Sequence, residues 1–409
     1  MNVTLILPVL ITLTGIILLF RLRFFFVIHP IRTAKKFLSA ANDREARRAL
    51  YLALAGTLGV GNIFGVAAGI MIGGPGIVLW LVVSSFFSMI IKYAETFVVC
   101  ENVTDKGGMA GALPKILKRN GKKLSMLYAM MTVVLALTMG SAIQSAALID
   151  VAEKTIELNK LIGGLILVVL FVPCLVGGTR KIENITEMLI PLTTILYIFA
   201  CFAVIFAKMS NFIPTVNLII KSAFSPQAFT TGAFLIAIKE GFARGMLSNE
   251  AGIGTSALAH SKIRHKSSSA AGVLGMSEVF FDTTLLCTLT AMVILLSVKD
   301  IGAFSTPMSL VYTAFTSTLG RPFGYILLGM VFAFAYSTII CWYYYGYECV
   351  NHYFALIKPT YIMAFVSVMI LSPYVKTQKL LFITDLTMLA MAFITLFCIM
   401  RLIDKIKSP

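Results

Sequence analysis

The chain has 409 residues, of which 58% are hydrophobic and only 13% charged, with a mean hydropathy of +0.91. An ordinary soluble domain carries about 45–50% apolar and about 25% charged residues, so the composition excludes a soluble globular protein and implies an integral membrane one. The net charge of +16 lies in short loops without aromatic interleaving, which excludes a nucleic-acid platform and reads instead as a topology signal.

With no long polar segment, one transmembrane domain over 1–409 is expected. Eleven spans are expected in chain order. Span 1, about 4–22, is an extra N-terminal helix; its apolar run has no basic residue before it and no cleavage site after it, so it reads as a retained helix and not a secretory signal. Span 2, about 48–72, is interrupted by Ala55-Gly56-Thr57-Leu58-Gly59-Val60-Gly61-Asn62. Spans 3 to 6 follow at about 76–100, 124–151, 161–178 and 184–208. Span 7, about 228–259, is interrupted by the string from Ser248 to Ala257, and spans 8 to 11 lie at about 270–297, 322–354, 360–375 and 379–402. The segments near 215–226 and 304–320 read as interfacial or re-entrant.

Lipid cannot satisfy free backbone N–H and C=O groups, so an unwound stretch at that depth must line a polar cavity or bind something. Gly61 and Gly252, one in each break, lie 191 residues apart, close to half the chain. Paired breaks in corresponding positions of two halves point to a transporter site near the bilayer midplane. Without span 1, ten helices remain, forming two five-helix units, 48–208 and 228–402, each opened by a broken helix. Five is odd, so the second unit is inverted relative to the first. Of the 34 Lys and Arg, 23 fall on one side, 8 on the other and 3 within spans. The positive-inside rule then puts the N-terminus outside and the C-terminus in the cytoplasm, in a multi-pass protein of the cell membrane.

The residues in and around the breaks resemble the alanine or glycine:cation symporter family, also called sodium:alanine symporters. The matching strings are LALAGTLGVGNIFGVA (52–67), IGGPG (72–76), KYAE (92–95), FARGMLSNEAGIG (242–254), DTTLLCTLTAMVIL (282–295) and FAYSTIICWYYYG (334–346). The resemblance implies an all-α, LeuT-like five-plus-five fold with discontinuous first helices. It also implies sodium-driven symport of a small neutral amino acid, alanine or glycine, with no cofactor beyond the coupling ion.

A bound amino acid needs donors for its carboxylate and acceptors for its ammonium. Thr57, Gly59, Val60, Gly61 and Asn62 in the first break offer N–H groups at a helix end, and Asn249, Gly252 and Gly254 in the second offer unwound carbonyls; glycines here can equally serve helix packing. The resemblance puts Gln144 on the substrate, against the alternative of an interhelical hydrogen bond. It also puts sodium on Ser337 and Thr338 with the carbonyls of Ala55 and Leu58, oxygen ligands that suit a hard cation. The alternative for those hydroxyls is a bond back to their own helix. Trp342 either walls the pocket or anchors at the interface.

Intramembrane charges are costly and usually functional: Glu250 and Asp282 are expected to support the sodium or pair with Arg244. Lys92 and Glu95 are expected to pair locally, and Lys239 and Glu240 to face an aqueous vestibule. The four histidines, 29, 260, 265 and 352, and the seven cysteines carry no metal or disulfide pattern.

The chain departs from the family at Val60, where members have Thr, at Ser141, where they have Asn, after Gly254, where proline is missing, and after Gly107-Gly108, where tyrosines are missing. These leave open a symporter of another small amino acid or one driven by protons. A channel or amino-acid sensor on the same fold is the rival from another class. An enzyme is the least favoured class, since no HExxH or GxSxG string occurs. Oligomeric state is beyond the sequence.

Overall fold

A computed structural model describes residues 5–102, 121–224, 232–255, 259–260 and 267–409, and over these the chain is helical with no strand. The basic positions between 106 and 119 and between 262 and 266, the Gly107-Gly108 pair and Ser256-Ala257 lie outside the described residues.

The extra helix α1 (Ile6–Arg21) is followed by α2 (Pro30–Ala41), a helix where the sequence suggested only a loop. Asp43 caps α3 (Arg44–Thr57), accepting from the backbone N–H of Glu45 and Ala46. After the break the chain continues as a wide turn of π-helix, Gly61–Gly65, and α4 (Val66–Gly73), bent by 47° from α3. Next come α5 (Ile77–Asn102) and α6 (Gly121–Leu135), which passes through a second π-helical stretch, Ala136–Ile143, into α7 (Gln144–Ile156).

Spans 5 and 6 fall on one helical run, α8 (Lys160–Ala207), with Pro173 and Pro191 inside it. A straight helix would separate Phe171 from Tyr197 by about 39 Å. Yet both rings pack on the same later helix, Phe171 on Tyr343 and Tyr197 on Phe334, positions only about 14 Å apart along it. The run therefore bends sharply between them, and the two expected spans survive as its two arms.

The 215–226 segment largely overlaps α9 (Phe212–Phe224), and α10 (Ala233–Asn249) leads into the second break. Beyond it lie α11 (Ser268–Val279), a third π-helical stretch at Phe280–Cys287, and α12 (Thr288–Ser297). The 304–320 segment is mostly a buried helix, α13 (Pro307–Leu319). The chain closes with α14 (Phe323–Tyr353), α15 (Lys358–Leu371) and α16 (Thr377–Arg401). Among the described residues, seven helices, or eight counting the bent pair, are long and apolar enough to cross a membrane; the two halves of the first broken helix qualify only together.

Small residues set the packing around the second break. A Cβ on Gly241 or Gly245 would strike Trp80 or Ser84 of α5, and one on Gly272 or Gly275 would strike Tyr93 or Thr96. α5 is thus held close between α10 and α11, as small residues permit in membrane helices. Large apolar side chains such as Phe199, Phe206 and Phe382 point outward, where lipid and not water is the solvent.

Candidate functional site

The first break begins where α3 stops at Thr57 and Leu58 leaves helical geometry, with ψ of 70°. Its glycines act by close approach and not by positive φ: a Cβ on Gly59 would lie 2.5 Å from Thr338 Oγ1 and 2.9 Å from Gln144 Oε1. Val60 N–H donates to Gln144 Oε1 at 2.8 Å, and Gln144 Nε2 donates to Met139 O at 3.1 Å. Gln144 therefore clamps the break, using one of the N–H groups expected to meet a carboxylate. Thr57 bonds back to Ala53 O at 3.4 Å, and Gly61 lies against Leu247.

The second break works the other way. Glu250, Gly252 and Gly254 have φ of +55°, +82° and +85°, the left-handed region where glycine costs nothing and glutamate must be held. Trp342 Nε1 donates to Glu250 Oε1 at 3.1 Å, and Thr255 Oγ1 donates to Glu250 Oε2. Asn249 Oδ1 accepts from Ala251 N–H at 2.9 Å, an Asx turn that starts the unwinding. The carbonyls of Asn249 and Ile253 are already taken, by Lys92 Nζ at 3.0 Å and Tyr128 OH at 2.6 Å.

Three side chains hold the breaks, and two of them, Trp342 and Asp282, join one break to the other. Trp342 also donates to Gly56 O at 3.3 Å; it is fully buried and bonded to both breaks, and does not lie at an exposed surface. Thr338 Oγ1 donates to Ala55 O at 3.0 Å. Asp282, in the third π-helical stretch, accepts from Asn62 Nδ2 of the first break and, at 2.8 Å, from Ser248 Oγ of the second. Thr283 Oγ1 completes this cluster, accepting from Asn249 Nδ2 at 3.0 Å. Asn62 Oδ1 is buried without a hydrogen-bond partner among the described residues. A carboxylate, an amide oxygen and two hydroxyls in one dry place are the donor set a hard cation takes.

Of the expected sodium ligands, Thr338 and Ala55 meet, and Leu58 is buried in the same turn. Ser337 turns its hydroxyl to its own helix, donating to Ala333 O at 2.8 Å and Phe334 O at 3.0 Å. The three π-helical stretches are what sequence reading missed: they carry Asn62, Ser141 with Gln144 next to it, and Asp282. Such bulges concentrate at functional sites, but no residue pattern marks them.

The charges pair differently from expectation. Arg244 pairs neither with Glu250 nor with Asp282; it meets Glu240, four residues earlier on its own helix, at 3.3 Å and Asp385 of α16. Glu240 is buried, and only Lys239 reaches outward. Lys92 and Glu95 do not pair locally. Lys92 reaches Glu278 at 3.8 Å and caps the last carbonyl of α10, while Glu95 accepts from Gly252 N–H at 2.9 Å. A lysine at a helix C-terminus and a carboxylate facing freed N–H groups are both favoured by the helix dipole. His260 lies on Glu278.

An all-helical fold with two apolar helices unwound face to face, their loose ends held by buried polar groups, defines a secondary transporter of LeuT-like architecture and not an enzyme. The structure is similar to that of MhsT in complex with L-phenylalanine, with a TM-score of 0.62 at 14% identity, covering 85% of this chain and 87% of that one. The chain belongs to the sodium:alanine symporter family, whose family model matches residues 1–408. It is 31% identical to the sodium/alanine symporter AgcS of Methanococcus maripaludis over 83% of this chain and 78% of that protein. It is also 28% identical to the probable sodium/glutamine symporter GlnT of Bacillus subtilis, over 81% and 71%. The protein is thus a cation-coupled amino-acid transporter and a multi-pass membrane protein.

Proposed function

We propose that the chain is a sodium-coupled symporter of a small neutral amino acid, alanine or glycine, working by alternating access with the N-terminus outside and the C-terminus in the cytoplasm. The observation that carries this reading is the bridging of both breaks by Asp282 and Trp342, with Thr338 bonded to Ala55 of the first. A cation entering among Asp282, Asn62 Oδ1 and Ser248, or between Thr338 and the Ala55 and Leu58 carbonyls, draws the breaks together. The substrate carboxylate then takes the Val60 N–H from Gln144, whose amide turns to the zwitterion, while Trp342 limits side-chain size. The units 48–208 and 228–402 rock about this centre. One sodium descending about 100 mV releases about 2.3 kcal/mol, and a tenfold gradient adds about 1.4. Together these support accumulation of several hundredfold, so one coupling ion is enough.

Proteoliposomes test this directly. Labelled alanine or glycine accumulates with an inward sodium gradient and stops when that gradient is collapsed with the pH gradient intact. Persistence on the pH gradient alone would make protons the driving ion. Absence of uphill uptake across small amino acids would favour a channel or sensor.

Residue roles separate by affinity. Gln144→Ala is expected to weaken apparent substrate affinity by roughly tenfold, about the 1.4 kcal/mol of one buried hydrogen bond, with a smaller effect on sodium. Thr338→Ala is expected to do the reverse. Equal effects of both variants on both ligands would remove these assignments.

A further inference from the structure

The helix α2 carries three different faces. Phe37 and Ala40 turn inward, Ala40 buried and the Phe37 ring 5.9 Å from that of Phe281, next to Asp282. Ile31 and Leu38, seven apart and so on one stripe, are 72% and 62% exposed, and Ala34 between them is exposed too. The third stripe is Arg32, Lys35 and Lys36, all exposed, with Lys36 Nζ also 3.2 Å from Ser269 Oγ at the start of α11. No acid occurs from Val27 to Ala41, and Val27 and Ile28, just before the helix, are exposed as well.

A bare apolar stripe beside a bare basic one is unfavourable in water and equally so in the hydrocarbon core. The arrangement suits one place, the boundary between headgroups and acyl chains, with the apolar stripe dipping in and the cations at the level of phosphate. We infer that α2 is an interfacial helix that binds anionic lipid headgroups, with Arg32, Lys35 and Lys36 as the binding residues. Charge complementarity selects the occupant: zwitterionic headgroups offer no net charge to three cations that form no ion pair among the described residues, whereas a basic residue close to an anionic surface gains about 1 kcal/mol, roughly fivefold in binding. The helix sits between α3, which it enters through the Asp43 cap, and α11, which leads to Asp282. A lipid held there therefore bears on both elements of the site.

The test uses the full chain in phosphatidylcholine nanodiscs with spin-labelled phosphatidylglycerol or spin-labelled phosphatidylcholine as probe. The protein is expected to prefer the anionic probe, and the preference to shrink as salt rises from about 0.1 to about 1 M and the screening length falls from about 10 to about 3 Å. The triple variant Arg32→Gln, Lys35→Gln, Lys36→Gln is expected to lose roughly fivefold or more of that preference, while Lys405→Gln with Lys407→Gln keeps it. Should the triple variant not accumulate, Lys35→Gln alone is expected to show a smaller fall. An undiminished preference in the α2 variants, or an equal loss in the C-terminal pair, would overturn the assignment. Neither readout involves transport, so its failure is distinct from failure of the symporter reading.

Discussion

Asp282→Asn is expected to give a folded protein that no longer couples to sodium. The carboxylate accepts from Asn62, Ser248 and Thr283 and, among the described residues, has no basic side chain bonded to it, so its charge is available to a cation. Removing that charge beside a bound cation costs up to about 4 kcal/mol at an effective dielectric of 20, up to several hundredfold, about a thousandfold at most, in apparent sodium affinity. The amide also presents N–H groups where the site supplies donors, so its bonds to Asn62 and Ser248 cannot all re-form. The checks are the sodium concentration for half-maximal uptake and, on detergent-solubilised protein, a thermal midpoint showing that the fold persists. A wild-type sodium dependence in this variant would remove Asp282 from the ion site.

Arg244→Met is expected to have the largest effect on stability. The guanidinium lies fully buried between Glu240, itself buried, and Asp385. Breaking a buried pair by removing one partner typically costs about 3–5 kcal/mol, because the other charge stays buried without compensation; here Asp385 loses the cation paired with it, while Glu240 keeps Lys239 at 3.1 Å. The unfolding midpoint is expected to fall by several degrees. Adding Asp385→Asn removes the orphaned charge and Glu240→Gln the carboxyl left with Lys239 alone; together they are expected to recover more than half of the loss. If the triple variant is no more stable than Arg244→Met, the contribution of Arg244 is its packed stem, which lies against Gly69, and not its charge.

Both breaks were legible because each sets glycine and small polar residues inside a run that is otherwise apolar, and in lipid that pattern has few physical explanations. Which group meets which was not. Asn62 and Asp282 are 220 residues apart, and no spacing rule reaches that far. The rule for residues three apart on a helix pairs Lys92 with Glu95, but a stronger demand prevails. The unwound ends of α10 expose a carbonyl at Asn249 and an N–H at Gly252, and the two side chains satisfy one each. The same demand explains Gln144: an N–H freed at Val60 must be paired, and this amide is the group within reach.

The sequence by itself determined the solvent of this protein, the location of both breaks and the family, because hydropathy, glycine placement and the SNEAGIG string are local properties. Only the tertiary structure decided that α2 is a helix with a basic and an apolar face, that three helices widen to π geometry, and that Arg244 serves Asp385. Each of these rests on contacts between distant segments. In a membrane core, where every buried polar group must find a partner inside the protein, those contacts are set by which unsatisfied groups the fold brings within reach.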